Sequence, residues 1–177
     1  MELPVSVSVR HSCVRHACTM LFQLVLVASA PAPVRAQMQP LDWRTFEVPQ
    51  YGTRVEYPAG VFVPAGAPAK GVGERFESRD GRAILSIYSR MNDAADTPAS
   101  YLQKNLRVRS GLDYQRITPS FFAVSAERDG LIYYSRCNFS SLAGGTTHCF
   151  DLVYPQEDKR AWDPVVTRIS LSLQPKR

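Results

Sequence analysis

Residues 72–90 read VGERFESRDGRAILSIYSR, and this stretch decides the fold. Val72–Arg79 and Arg82–Arg90 flank Asp80-Gly81, residue types that accept positive φ at low steric cost, so the stretch reads as a tight β-hairpin. In its second strand Ile84 and Tyr88 point one way while Leu85 and Ile87 point the other. A strand apolar on both sides needs cover on both sides, which predicts a sheet held between two layers.

Working outward, the same turn chemistry recurs. Phe121–Arg128 and Leu131–Phe139 flank Asp129-Gly130, and the chain then turns at Leu142-Ala143-Gly144-Gly145 and returns as Thr147–Tyr154. Asp113–Ile117 is a further strand. Trp43–Val48 and Thr53–Tyr57 form an opening hairpin broken by Pro49-Gln50-Tyr51-Gly52. Residues 58–71, rich in Pro, Ala and Gly, read as a surface loop with a short extended piece at Val61-Phe62-Val63. Thr97-Pro98 opens a helix to about Ser110, stopped by Gly111, with Leu102 and Leu106 on the buried stripe and Tyr101 at its flank. Lys104 and Arg107 take its solvated side. Asp163 with Pro164 predicts a second helix, residues 163–173, with Val165, Val166, Ile169 and Leu173 inward.

The amino end supplies an address. Arg10 and Arg15 precede the apolar run Met20–Ala30, and Val34-Arg35-Ala36 presents small residues where a signal peptidase reads. Residues 1–36 are therefore expected to be a cleaved signal peptide, with 37–42 a flexible leader and 43–177 a single α/β domain. The apolar run is about half of the ~20 residues that cross a bilayer, so no transmembrane anchor is expected after processing. Cys18 precedes its hydrophobic run, the reverse of a lipidation signal. The expected location is periplasmic or secreted.

Processing lowers the net charge from +5 to +3, because three arginines and Glu2 leave with residues 1–36. The remaining basic residues are scattered among acids, so nucleic acid is not an expected partner.

Cys137 and Cys149 are the only cysteines beyond residue 36, and an oxidising compartment favours their pairing. Their midpoint, residue 143, falls in the predicted turn. A register symmetric about it places the two cysteines opposite each other, with Tyr134 opposite Leu152, Arg136 opposite Phe150, Ile132 opposite Tyr154 and Asn138 opposite His148. Two free thiols and a redox-active pair are weaker readings, since catalytic thiols favour Cys-x-x-Cys at a helix start. No cofactor and no metal site are predicted, because beyond residue 36 His148 is the only histidine and no second cysteine pair exists.

Chemistry-bearing motifs are sparse. A hydrolase would need His148 as base, yet no Gly-x-Ser-x-Gly elbow is present, and Ser125 and Ser135 lie within strands. His148 is expected to sit near a hairpin end making ordinary hydrogen bonds. Among the acids, Glu127 and Asp129 flank a turn, Glu74 and Glu77 face opposite ways, and Asp151 adjoins the cysteines; no two are expected to share a cleft. Ala69-Lys70-Gly71-Val72-Gly73 leads into a strand rather than a helix, so it is no phosphate loop. Asn138-Phe139-Ser140 matches the glycosylation triplet. Tyr51, Tyr57, Phe62, Tyr133 and Phe139 are candidates for a binding groove bordered by the 58–71 loop.

The opening hairpin ending in Tyr57-Pro58, the hairpin through Phe76 and Leu85, the Thr-Pro-capped helix with Tyr101-Leu102, the antiparallel strands and the closing helix through Ile169 and Leu173 together resemble the PsbP-like fold. In general character the chain is also similar to small exported alphaproteobacterial proteins. The resemblance implies an α+β, α/β/α sandwich and a non-enzymatic accessory or binding role; it transfers no functional residue, and the Cys137–Cys149 pair is not part of it. The expected function is an exported accessory module binding a protein or envelope component. A small-molecule carrier with a cleft near residues 58–71 stands second and an unrecognised hydrolase third.

Overall fold

A computed structural model describes residues 41–105, 111–140 and 145–175. Its strands are β1 (Trp43–Val48), β2 (Thr53–Pro58), β3 (Phe62–Pro64), β4 (Val72–Ser78), β5 (Ile84–Met91), β6 (Tyr114–Ile117), β7 (Phe121–Arg128), β8 (Leu131–Phe139), β9 (Thr146–Pro155) and β10 (Gln174–Pro175). The helices are α1 (Pro98–Asn105) and α2 (Lys159–Ser172). Seven strands form one antiparallel sheet in the order β3-β4-β5-β9-β8-β7-β6. β1, β2 and β10 form a second, three-stranded sheet. The signal-peptide reading of 1–36, residues 37–40, the helical reading of 106–110 and most of the 142–145 turn lie outside the described residues.

Both faces of the large sheet are covered at its centre, as the hairpin at 72–90 requires. On one face Phe76, Leu85, Ile87, Phe150 and Leu152 meet Val165, Val166 and Ile169 of α2, with Val55 of β2 beside them. On the other, Tyr88, Phe122, Val124 and Phe139 meet Tyr101 and Leu102 of α1. The fold is thus α+β, an antiparallel sheet with a helix on each face. The opening hairpin is not an extension of that sheet. It lies over the α2 face, latched by Glu56 N–H donating to Ser172 Oγ (2.9 Å) and by Arg168, which bonds Glu56 Oε2 (2.8 Å) while lying 4.3 Å over the Trp43 ring.

The turns follow their residues in different ways. Asp129 (φ 53°) and Gly130 (φ 74°) both take positive φ and close a two-residue hairpin between Arg128 and Leu131. At Asp80-Gly81 only Gly81 does so (φ 71°). The loop there is longer, because Ser78 Oγ accepts Ala83 N–H (2.8 Å) and donates to Asp80 (2.6 Å), so a side chain takes over part of the turn. Thr97 caps α1 as predicted, its Oγ1 accepting Ser100 N–H at 3.1 Å.

Two boundaries are corrected. α2 begins at Lys159 rather than at Asp163, and Pro164 lies inside it. Trp162 draws the extra turn onto the core, with ring centroids 5.4 Å from Tyr154 and 5.7 Å from Phe62, and Lys159 pairs with Asp163 at 2.8 Å. The proline is tolerated because Arg160, whose carbonyl loses a donor, lies on the solvent side. The folded domain also takes in Leu41 and Asp42, assigned by sequence to the flexible leader. Leu41 packs on the core, and the two carbonyls accept Gly60 and Ala59 N–H groups at 3.0 and 2.9 Å.

β8 and β9 adopt the register symmetric about residue 143 in every predicted pair, from Ile132↔Tyr154 to Asn138↔His148. Cys137 and Cys149 stand opposite each other with Cα atoms 4.1 Å apart, are joined by a disulfide, and are fully buried.

Candidate functional site

α2 crosses the large sheet over β9 and the strands beyond it, so one face of β6, β7 and β8 stays open along the helix flank. Residues of one parity line that face: Tyr114 and Arg116 on β6, Phe121, Ala123, Ser125 and Glu127 on β7, and Ile132, Tyr134 and Arg136 on β8. Lys159, Asp163, Val166, Thr167, Ser170 and Leu171 form the helical wall of a cleft of about 560 Å³. Leu171 is 70% exposed at its rim, the most exposed of the chain's large apolar residues in the described region.

Register orders the cleft along its length. Arg116, Ala123 and Arg136 share one row, and Tyr114, Ser125 and Tyr134 share the next. Glu127 and Ile132 follow toward the amino end of α2, where Asp113 and Asp163 also line the wall. One end is therefore basic and the other, where Lys159 pairs with Asp163, net acidic, about 13 Å apart at four residues' rise along β8. The sequence reading kept the acids apart; the fold brings Asp113, Glu127 and Asp163 to one cleft, because β6 folds back on β7 and Asp113 Oδ2 accepts Glu127 N–H at 2.7 Å.

At the basic end the Arg136 guanidinium lies 4.3 Å, and that of Arg116 5.4 Å, over the centroid of Phe121. Arg136 Nε donates to Asn138 Oδ1 (3.0 Å) and Nη1 to Ser170 Oγ (2.9 Å), which in turn meets the Tyr134 hydroxyl (3.1 Å). Burial lowers the pKa of Arg136, and the nearby charge of Arg116 acts in the same sense. Neither arginine forms an ion pair among the described residues; Arg79, Arg90, Arg128 and Arg160 form none there either, but only Arg116 and Arg136 share one aromatic ring.

Beyond this end the face carries a closed polar cluster. Thr53 of β2 hydrogen-bonds Ser89 and also His148 Nδ1 (2.7 Å), and Asn138 Nδ2 donates to the Leu173 carbonyl (2.8 Å). His148 is 1% exposed, and its Nε2 has no partner among the described residues. We assign the ring proton to Nδ1, since an orphaned acceptor costs less than an orphaned N–H. Burial lowers the pKa of His148 and keeps it neutral. The ordinary hairpin-end histidine expected from sequence is thus replaced by one sealed under the opening hairpin, which covers it from a distant part of the chain. A hydroxyl does meet the imidazole, but Thr53, Ser89 and His148 are all buried. The cluster fastens β2 to β5 and β9. Asn138 of the glycosylation triplet is occupied in the same way.

On the opposite face Asp151 accepts from Ser135 Oγ (2.6 Å) and the Tyr88 hydroxyl (3.1 Å). Burial raises its pKa against the pull of those bonds.

The five rings proposed from sequence do not converge. Phe62 is a core residue beside Trp162, and Phe139 packs with Tyr101 and Phe122 under α1 on the opposite face. Tyr57 lies half-buried against Phe76, Tyr51 sits in the 49–51 turn, and Tyr133, 42% exposed, points away from the cleft. The 58–71 loop is tied to the sheet edge instead of bordering a groove: Phe62–Pro64 pairs with β4, and Gly66 N–H donates to Glu74 at 2.8 Å. Missed from sequence were Tyr114, Arg116, Phe121, Ser170 and Leu171. One sign was present, since the predicted register set Arg136 opposite Phe150 in an otherwise apolar row.

No family model matches the chain, and no curated protein matches it. Among solved structures it is similar to the solution structure of cyanobacterial PsbP (CyanoP) from Synechocystis sp. PCC 6803, with a TM-score of 0.54 and 11% identity over 83% of this chain and 98% of that one. The fold is PsbP-like. At that identity the likeness speaks for the fold alone. No described helix is long and apolar enough to cross a membrane.

Proposed function

We propose that this protein is an exported, non-enzymatic accessory module of the cell envelope that binds its partner through the α2–β8 cleft. The observation that carries this reading is the cleft itself: an uncovered part of the large sheet beside α2, rimmed by an exposed leucine and floored by aromatic rings and arginines that have no carboxylate partner among the described residues. A surface of that kind is suited to recognition. The leader with its basic, apolar and small-residue segments supports export, and the buried disulfide agrees with an oxidising compartment.

Affinity capture from envelope fractions tests the reading, with Leu171→Glu as the comparison. Leu171 is too exposed for this change to unfold the domain. A partner should be retained by the parent chain and lost by the variant, and retention by both would refute the cleft as the binding surface. Recovery of a chain beginning at Gln37 from the periplasm would support export; recovery of the intact chain from the cytosol would overturn it.

The cleft volume favours one second reading, a small-molecule carrier. It would use this cleft in place of the 58–71 region.

A further inference from the structure

Two guanidinium groups gather over one phenylalanine with no carboxylate to balance them. Arg136 spends Nε–H and one Nη1–H on Asn138 and Ser170, which fixes its plane and leaves three of its five donors without a partner among the described residues. Arg116 keeps all of its donors for solvent or ligand. Half-burying one arginine and bringing a second like charge to the same ring is unfavourable, and the ring face offsets only part of that cost. An anion accepting from both would relieve it, and a planar carboxylate matches the guanidinium fork.

The rest of the cleft constrains the body of such a ligand. Tyr114, Tyr134 and Ile132 lie next along the floor, with Val166 and Leu171 on the helical wall. Glu127, Asp113 and Asp163 occupy the far end with Lys159, which pairs with Asp163, so that end keeps a net negative charge and disfavours a second carboxylate there. The volume falls within the range of small-molecule sites and is short for an extended peptide.

We propose that the cleft binds a small organic acid with a single carboxylate, held by Arg116 and Arg136, whose aromatic or aliphatic body lies against Tyr114, Tyr134 and Leu171. This rests on the reading of the cleft as the protein's binding site.

Calorimetric titration of the purified chain with 2-naphthoate tests it. One molecule should bind per chain, and 2-naphthylmethanol, the uncharged analogue, should bind at least about ten-fold more weakly. Arg116→Met should weaken 2-naphthoate by about ten-fold without shifting the melting temperature, because Arg116 is exposed and its guanidinium rests over the Phe121 ring without an ion pair among the described residues. Naphthalene-2,6-dicarboxylate, whose second charge would meet the acidic end, should bind more weakly than 2-naphthoate. Equal binding of acid and alcohol, full affinity in Arg116→Met, tighter binding of the dicarboxylate, or no binding of 2-naphthoate at millimolar concentration would each overturn the proposal. If 2-naphthoate fails while Leu171→Glu still abolishes partner capture, only the ligand class falls. If both fail, the cleft is not the binding site.

Discussion

Replacing both cysteines, Cys137→Ala with Cys149→Ala, should remove a large part of this domain's stability. The bridge closes a short loop, since its cysteines are 12 residues apart. Loop-closure entropy for that length corresponds to about 3 kcal/mol at 25 °C. The sulfurs are fully buried in the core formed with Tyr88, Phe122 and Phe139, so their loss also leaves a small void. That adds about 1 kcal/mol of lost packing. Against a typical domain stability of about 5–15 kcal/mol, a loss near 4 is severe. In urea, with a slope of about 2 kcal/mol/M, the unfolding midpoint should fall by about 2 M. The assay is equilibrium denaturation followed by far-UV circular dichroism, comparing the oxidised parent with the double variant. The parent cut after Ala36, unfolded in guanidinium without reductant, should also show no alkylatable thiol. A midpoint shift below about 0.3 M would refute the argument, because neither the entropy of the cross-link nor the packing of its sulfurs would then be expressed.

Three further outcomes follow from the packing. A Cβ on Gly73 would stand 1.9 Å from the Ile87 carbonyl oxygen, so Gly73→Ala must push β4 away from β5; a loss of about 3 kcal/mol, read as a melting temperature lower by about 6–12 °C, is expected, and an unchanged melting temperature would show that the strands separate freely. His148 is the only histidine after residue 36, and its pKa is depressed by burial. The unfolded chain takes up a proton near pH 6.5 while the folded chain does not, so the stability His148 contributes is complete above that pH and lost as pH falls toward the folded pKa, by up to about 1.4 kcal/mol per pH unit. Urea midpoints between pH 7.5 and 5 should show this fall in the chain cut after Ala36 and lack it in its His148→Gln form; parallel curves would sink the assignment. Pro164→Ala restores an N–H to the interior of α2 at an exposed position and should stabilise the domain by about 1–3 kcal/mol, whereas a lower melting temperature would mean that the fixed φ of the proline supports the helix.

What was legible in the sequence was local or governed by symmetry. Alternation marked the strands, Asp129-Gly130 chose its turn, Thr97 its cap, and a single midpoint gave the entire β8–β9 register. These features depend on neighbours in sequence or on one pairing partner. Asp163-Pro164 misled because a strong local start signal competed with Trp162, whose contacts with Phe62 and Tyr154 are tertiary. The groove proposed near residues 58–71 failed to form for a related reason: rings such as Phe62 and Phe139 say that a surface is apolar, not which layer will cover it.

Taken alone, the amino-acid sequence determined the strands, the cross-link and the need for a layer on each side of the sheet, because periodicity and turn chemistry are properties of the chain itself. Only the tertiary structure decided which part of each face stays open. It laid the opening hairpin over His148 and sealed that residue in. It set α2 beside β8 and left that face of β6 and β7 uncovered, with Arg116 and Arg136 over Phe121 and no carboxylate pairing with them among the described residues. Those outcomes depend on where distant segments come to rest, and no spacing along the chain encodes that directly.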